Sequence, residues 1–149
     1  MPQASFTVSI FINAAPAEIF AYVSDLTRHG EWAANELQVR AVDDALLATG
    51  KRYRSHAIVR GNEFDAELQV KAYQPPTRFV FSGQDNTGKF QHTFTFTPAN
   101  SGTRVERHVD FDLTSRQFLF YLAMLYPVRL PAANLALRLL KQRLEHPSA

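Results

Sequence analysis

A chain of 149 residues, 46% hydrophobic and 20% charged, is long enough to bury the core of one domain and too rich in apolar residues to stay disordered. Its formal net charge is only +2, and the bases are interleaved with acids rather than blocked, so there is no electrostatic footprint for nucleic acid. With no cysteine, a disulfide framework, a thiolate nucleophile and a zinc-thiolate site are excluded, and the cytoplasm is the expected location. The N-terminus alternates instead of running continuously apolar and lacks a basic leader, so it does not read as a signal peptide. The most apolar run, Phe118 to Tyr126, is about half the ~20 residues a membrane helix needs. One domain spanning residues 1–149 is expected.

From Ser5 to Asn13 the chain alternates, with Phe6, Val8, Ile10 and Ile12 on one face, which predicts a half-buried strand. Pro16 suits the first turn of a helix and Glu18 its positive end, so a short helix is expected from Pro16 to Ser24, burying Ile19, Phe20 and Val23. Asp25 to Trp32, which holds the only tryptophan, reads as a second helical turn or loop, and Leu37 to Val42 as a strand. In Arg52 to Val59, Tyr53, Ser55, Ala57 and Val59 share one phase. Gly61-Asn62 is expected to form a type II′ hairpin turn, which sets Ser55 against Leu68 and Ala57 against Ala66. Phe64, Ala66, Leu68, Val70 and Ala72 then point inward.

Strands are also expected at Phe79 to Gly83, Lys89 to Thr97 and Arg104 to Leu113. The in-facing phase of the second of these is Phe90, His92, Phe94 and Phe96; that of the third is Val105, Arg107, Val109, Phe111 and Leu113. His92 and Arg107 are the polar residues out of place. Pairing Phe96 with Val105 puts Phe94 opposite Arg107 and makes His92 its diagonal neighbour on the same face. An unpaired buried guanidinium costs several kcal/mol, so Arg107 needs a carboxylate, carbonyls, water or a ligand anion unless a bulge turns it outward. Last comes Leu130 to Glu145, where Leu130, Ala133, Leu137, Leu140 and Leu144 form a helical stripe, with Leu135 and Leu139 nearly opposite. Such a helix is expected to be covered on more than one side.

The order of elements is strand, two short helices, about six strands in hairpin succession, then a long helix. This is an α+β arrangement with an antiparallel sheet whose apolar face curls around the last helix. The stretch FINAAPAEIFAYVSDLTRHGEW resembles the opening of the START-like, or SRPBCC, superfamily, which includes polyketide cyclase/dehydrase-like and lipid-binding proteins. FTFTPANSGTRVER is similar to that superfamily's penultimate hairpin and NLALRLLKQRLE to its closing helix. The resemblance implies a helix-grip fold with a deep, largely apolar cavity between sheet and terminal helix, and Trp32 near its rim.

The five histidines are scattered, with no helical ligand spacing, so neither a metal nor a cofactor is expected. Ser55 lacks the context of a hydrolase nucleophile. The expected function is enclosure of a small hydrophobic or amphipathic molecule, with Trp32, Tyr53, Ser55, Phe64, Phe81, His92, Phe94 and Arg107 as candidate cavity residues. The alternative is a cyclase, dehydratase or isomerase using a cavity histidine as general acid/base. The segment from Gln117 to Tyr126, almost without a polar face, is expected to form the cavity mouth or a homodimer contact.

Overall fold

The computed structural model describes residues 3–85, 88–113, 119, 123 and 125–146. Seven strands, β1 (Gln3–Ile12), β2 (Glu36–Ala41), β3 (Arg52–Val59), β4 (Asn62–Gln74), β5 (Arg78–Asp85), β6 (Gly88–Ala99) and β7 (Gly102–Leu113), form one curved antiparallel sheet. Their order is β1-β7-β6-β5-β4-β3-β2. Between β1 and β2 lie helix α1 (Pro16–Ser24) and a 3-10 helix (Leu26–Glu31). A π-helical turn (Leu125–Arg129) leads into the long helix α2 (Leu130–Glu145).

Strand alternation assigns the two faces. Thr7, Thr93 and His108 lie on the outward side, while Val8, Phe94, Phe96 and Val105 are buried on the inward one. Helix α1 lays Phe20 against the rings of Tyr73, Phe79 and Phe96, with centroids 5.4–6.3 Å apart. It stops at Asp25, whose carboxylate accepts from the Thr27 N–H and hydroxyl and so caps the 3-10 helix that follows. Helix α2 buries Ala133, Ala136, Leu137 and Leu140 on the concave side of the sheet. Its far end is tied to β1: Lys141 Nζ donates to the Phe11 carbonyl at 2.8 Å, and Glu145 accepts from the Asn13 N–H at 2.7 Å.

The expectation that α2 is covered on more than one side holds only in part. Leu139 packs partly on the core, but Leu135 stands 38% exposed. The β3–β4 register also differs from the expected one by two residues. Val59 closes on Asn62 and Ser55 faces Ala66, because the turn residues are Arg60 and Gly61, with φ of 52° and 80°. Positive φ at both positions makes a type I′ turn, which matches strand twist as well as type II′ does. A shift of two keeps the faces. A bulge between Val70 and Ala72 does change them: Ala72 falls opposite Val80, and Tyr73 takes the inward place opposite Phe79. The expected inward position of Ala72 is therefore wrong. Of the segment Gln117 to Tyr126, expected at a mouth or dimer contact, all but Leu119, Ala123 and the backbone of Leu125 and Tyr126 lies outside the described residues. Among the described residues no helix is long and apolar enough to cross a membrane.

Gly30 holds the 3-10 helix tight against β2. A β-carbon there would stand 2.3 Å from the Leu37 carbonyl oxygen, a backbone atom that cannot swing aside. Gly30→Ala is expected to destabilise the fold by about 1–3 kcal/mol through overpacking, measured by chemical denaturation.

Candidate functional site

Residues directly opposite one another in an antiparallel sheet share a face, so the pairings define rungs across the concave side. One rung runs Phe79, Phe94, Arg107, Val8; the next runs Val70, Phe81, His92, Val109, Phe6; a third runs Tyr53, Leu68, Gly83, Phe90, Phe111. Phe94 does stand opposite Arg107, as the alternation predicts, and Arg107 points inward. Toward the first rung the face is filled by α1 and the 3-10 helix. Arg107 in that rung, and beyond it Phe6, Ser55, Phe64, Ala66, Phe90, His92 and Phe111, remain half-buried, a largely apolar and aromatic surface.

Arg107 donates to His92 Nδ1 through both Nε, at 3.2 Å, and Nη2, at 2.9 Å. A guanidinium has no acceptor, so His92 must present a lone pair at Nδ1, and its neutral form carries the proton on Nε2. The imidazole also stacks on Phe81, with centroids 4.7 Å apart and planes within 6°. The guanidinium carbon lies 5.3 Å from the Phe94 ring centroid and 5.7 Å from that of Trp32, within cation–π range of both. Among the described residues, no carboxylate comes within ion-pair distance of Arg107.

Sequence reasoning did not single out His29, which completes the group. It packs 4.7 Å from Trp32, 5.7 Å from Phe81 and 6.2 Å from Phe94. Its Nε2–H donates to the Val23 carbonyl at 2.7 Å. The available signal was spacing: in a 3-10 helix residues three apart lie on one edge, and His29 and Trp32 are three apart. Trp32 is 2% exposed, buried under the 3-10 helix instead of lying near a rim, and its buried Nε1–H meets no acceptor among the described residues.

Burial sets the charge states. It pushes His29 down to about 4, with the Arg107 charge acting the same way. It also holds His92 well below the ordinary histidine range, reinforced by Arg107 and then His29. Arg107 is lowered by burial to about 10 and stays charged at neutral pH. The cluster is thus one cation among neutral imidazoles and aromatic rings.

Of the candidate residues, Trp32, Phe81, His92, Phe94 and Arg107 come together. Tyr53, Ser55 and Phe64 share the concave face but lie on β3 and β4, separated from β6 by β5 or by β4 and β5. Tyr53 is buried, which pushes its phenol up to about 12 with help from the Asp25 charge. Ser55 faces Ala66, and Phe64 faces Ala57. The half-buried face has a neighbouring recess of about 340 Å³ bounded by Ala34, Val59, Arg60, Pro127, Pro131 and Leu135, at the start of α2 and the β3–β4 turn. A larger groove of about 660 Å³ is lined both by the outward rung of Arg52, Gln69, Ser82, Gln91 and Asp110 and by Leu68, Gly83, Phe90 and Phe111 of the third inward rung. The mixed charges of its outward side suit water better than an apolar guest. His56 and His108 are exposed beside Asp65 and Asp110, on the outward face as expected. Among the described residues no three acids or histidines are placed to hold a metal.

The geometry has counterparts among solved structures. The protein TTHA0849 from Thermus thermophilus superposes with a TM-score of 0.80 at 19% identity, covering 98% of this chain and all of that one. Ara h 8.0201 gives 0.66 at 11% identity, over 96% and 98%. The di-domain ARO/CYC StfQ from the steffimycin biosynthetic pathway gives 0.80 at 12% identity, over 98% of this chain and 52% of that one. At these identities the likeness establishes the helix-grip fold alone. Comparison with curated proteins gives no match. The family described as polyketide cyclase / dehydrase and lipid transport matches residues 3–145, nearly the whole chain. The chain belongs to that family.

Proposed function

We propose that the protein holds a small hydrophobic or amphipathic molecule between the concave face of the sheet and α2. The observation that carries this reading is Arg107, a charged guanidinium on a half-buried aromatic face whose one hydrogen-bond partner among the described residues is a neutral imidazole. Such an arrangement is costly for stability alone and becomes favourable when a guest supplies oxygen acceptors. The cysteine-free composition supports placing this activity in the cytoplasm. Native mass spectrometry of the purified protein after exposure to an extract of hydrophobic metabolites tests the proposal. A one-to-one complex with a discrete compound is expected, and the absence of any adduct beyond nonspecific detergent-like binding would refute it.

A second reading, a cyclase or dehydratase using a cavity histidine as acid/base, is favoured by the two imidazoles in the cluster and by the ARO/CYC likeness. Against it, both imidazoles are held neutral well below the range where proton transfer is efficient at pH 7. Recovery of the bound compound unchanged after long incubation supports binding; conversion that stops in His92→Phe supports catalysis.

A further inference from the structure

Apart from His29 Nδ1, the polar atoms that the Arg107 cluster leaves available are donors. Arg107 has no acceptor; His92, whose Nδ1 already accepts from Arg107, offers only its Nε2–H; Trp32 carries a buried Nε1–H with no acceptor among the described residues. Two of these donors, on β6 and in the turn after the 3-10 helix, belong to residues whose rings contact the Arg107 guanidinium, and no described carboxylate balances its charge. A neutral alcohol would satisfy one of them and bring a donor of its own. A carboxylate offers two oxygens with about four acceptor sites and matches the guanidinium fork.

We infer that the buried end of the bound molecule is a carboxylate, received by Arg107 with the Trp32 and His92 N–H groups as neighbouring donors, and that the apolar remainder lies along Phe81, Phe90 and Phe111. This rests on the reading that the interior holds a ligand, and it names that ligand's chemical class. The carboxylate enters where Arg107 and His92 keep the small part of their surface that is not buried. It replaces none of the core contacts that Phe94 and Phe96 make.

The test uses the full chain at pH 7.5 with three twelve-carbon probes below their aggregation limits: dodecanoate, methyl dodecanoate and dodecanol. Isothermal titration calorimetry gives affinities, and emission of the single tryptophan reports arrival at the site. Dodecanoate is expected to bind at least about tenfold more tightly than either neutral probe, the size of one charged hydrogen bond. In Arg107→Met the three should bind within about threefold of one another, because the neutral probes lose nothing. Trp32→Phe, followed by calorimetry, should weaken dodecanoate by roughly threefold to tenfold and leave the ester unchanged. Equal affinity of acid and ester for the natural chain overturns the carboxylate assignment while leaving a hydrophobic binder. No saturable binding of any probe overturns both readings. The comparison on the natural chain decides even if Arg107→Met fails to fold.

Discussion

Phe94→Ala is expected to cost about 3–5 kcal/mol, the range for removing a fully buried phenylalanine. The residue is 0% exposed and touches three systems at once. It stacks with Phe81 and Phe96 at 6.4 Å, meets His29 and Trp32 edge-on at 6.2 Å, and lies under the Arg107 guanidinium. The cavity left by alanine would border a charge, so water is drawn in where an apolar void would stay dry. Urea denaturation checks the size. Phe94→Leu should recover more than half of the loss, and a loss below about 1 kcal/mol for alanine would show that the aromatic layer does not hold the cluster.

Acid is expected to weaken the fold before the carboxylates titrate. A group with a depressed folded pKa binds fewer protons in the folded chain than in the unfolded one, so stability falls as pH drops below the unfolded value. For His29 the window runs from its ordinary 6.5 to about 4. Between pH 7 and pH 4.5 this one residue should remove about 2–3 kcal/mol, and His92 acts in the same direction. His56 works against them. Its pKa is raised, by its hydrogen bond to Asp65 first, so the stability it adds is present below 6.5 and fades as pH rises; it is an exposed pair of small weight. Denaturation curves for the natural chain and for His29→Gln, which keeps a donor for the Val23 carbonyl, check the assignment. The variant should lose the share of the slope that His29 contributes and keep that of His92. A natural chain equally stable at pH 7 and 4.5 contradicts the buried neutral imidazoles.

The extent to which the sequence foretold these features depends on the kind of information each required. Arg107 and His92 were legible because a period of two places them among Val105, Val109, Phe90 and Phe94, and because the turn at Asn100 and Ser101 leaves the β6–β7 register undisturbed. Helix α2, helix α1 and strand β3 have the predicted boundaries for the same reason: periodicity and Pro16 are local signals. The β3–β4 register was not legible, since nothing marks Arg60 as a residue that adopts positive φ. The bulge that turns Ala72 away is equally silent. His29 was missed because its burial depends on the 3-10 helix folding under β5 and β6, a long-range contact that the local sequence does not state. Trp32 was placed at a rim by resemblance, whereas its burial follows from packing on Phe94 and His29.

The central claim is that His92 and Arg107 are retained for a guest at a cost to the empty fold. Paired measurements on Arg107→Met/His92→Phe test it most directly, with stability from denaturation and dodecanoate affinity from calorimetry. Removing both partners orphans neither half of the pair, and exchange of a buried polar pair for apolar residues of similar volume is often neutral or stabilising by about 1–4 kcal/mol. The account predicts a variant at least as stable as the natural chain that binds dodecanoate at least about tenfold more weakly. A variant destabilised by several kcal/mol with its affinity intact would make the pair a structural element and contradict the account.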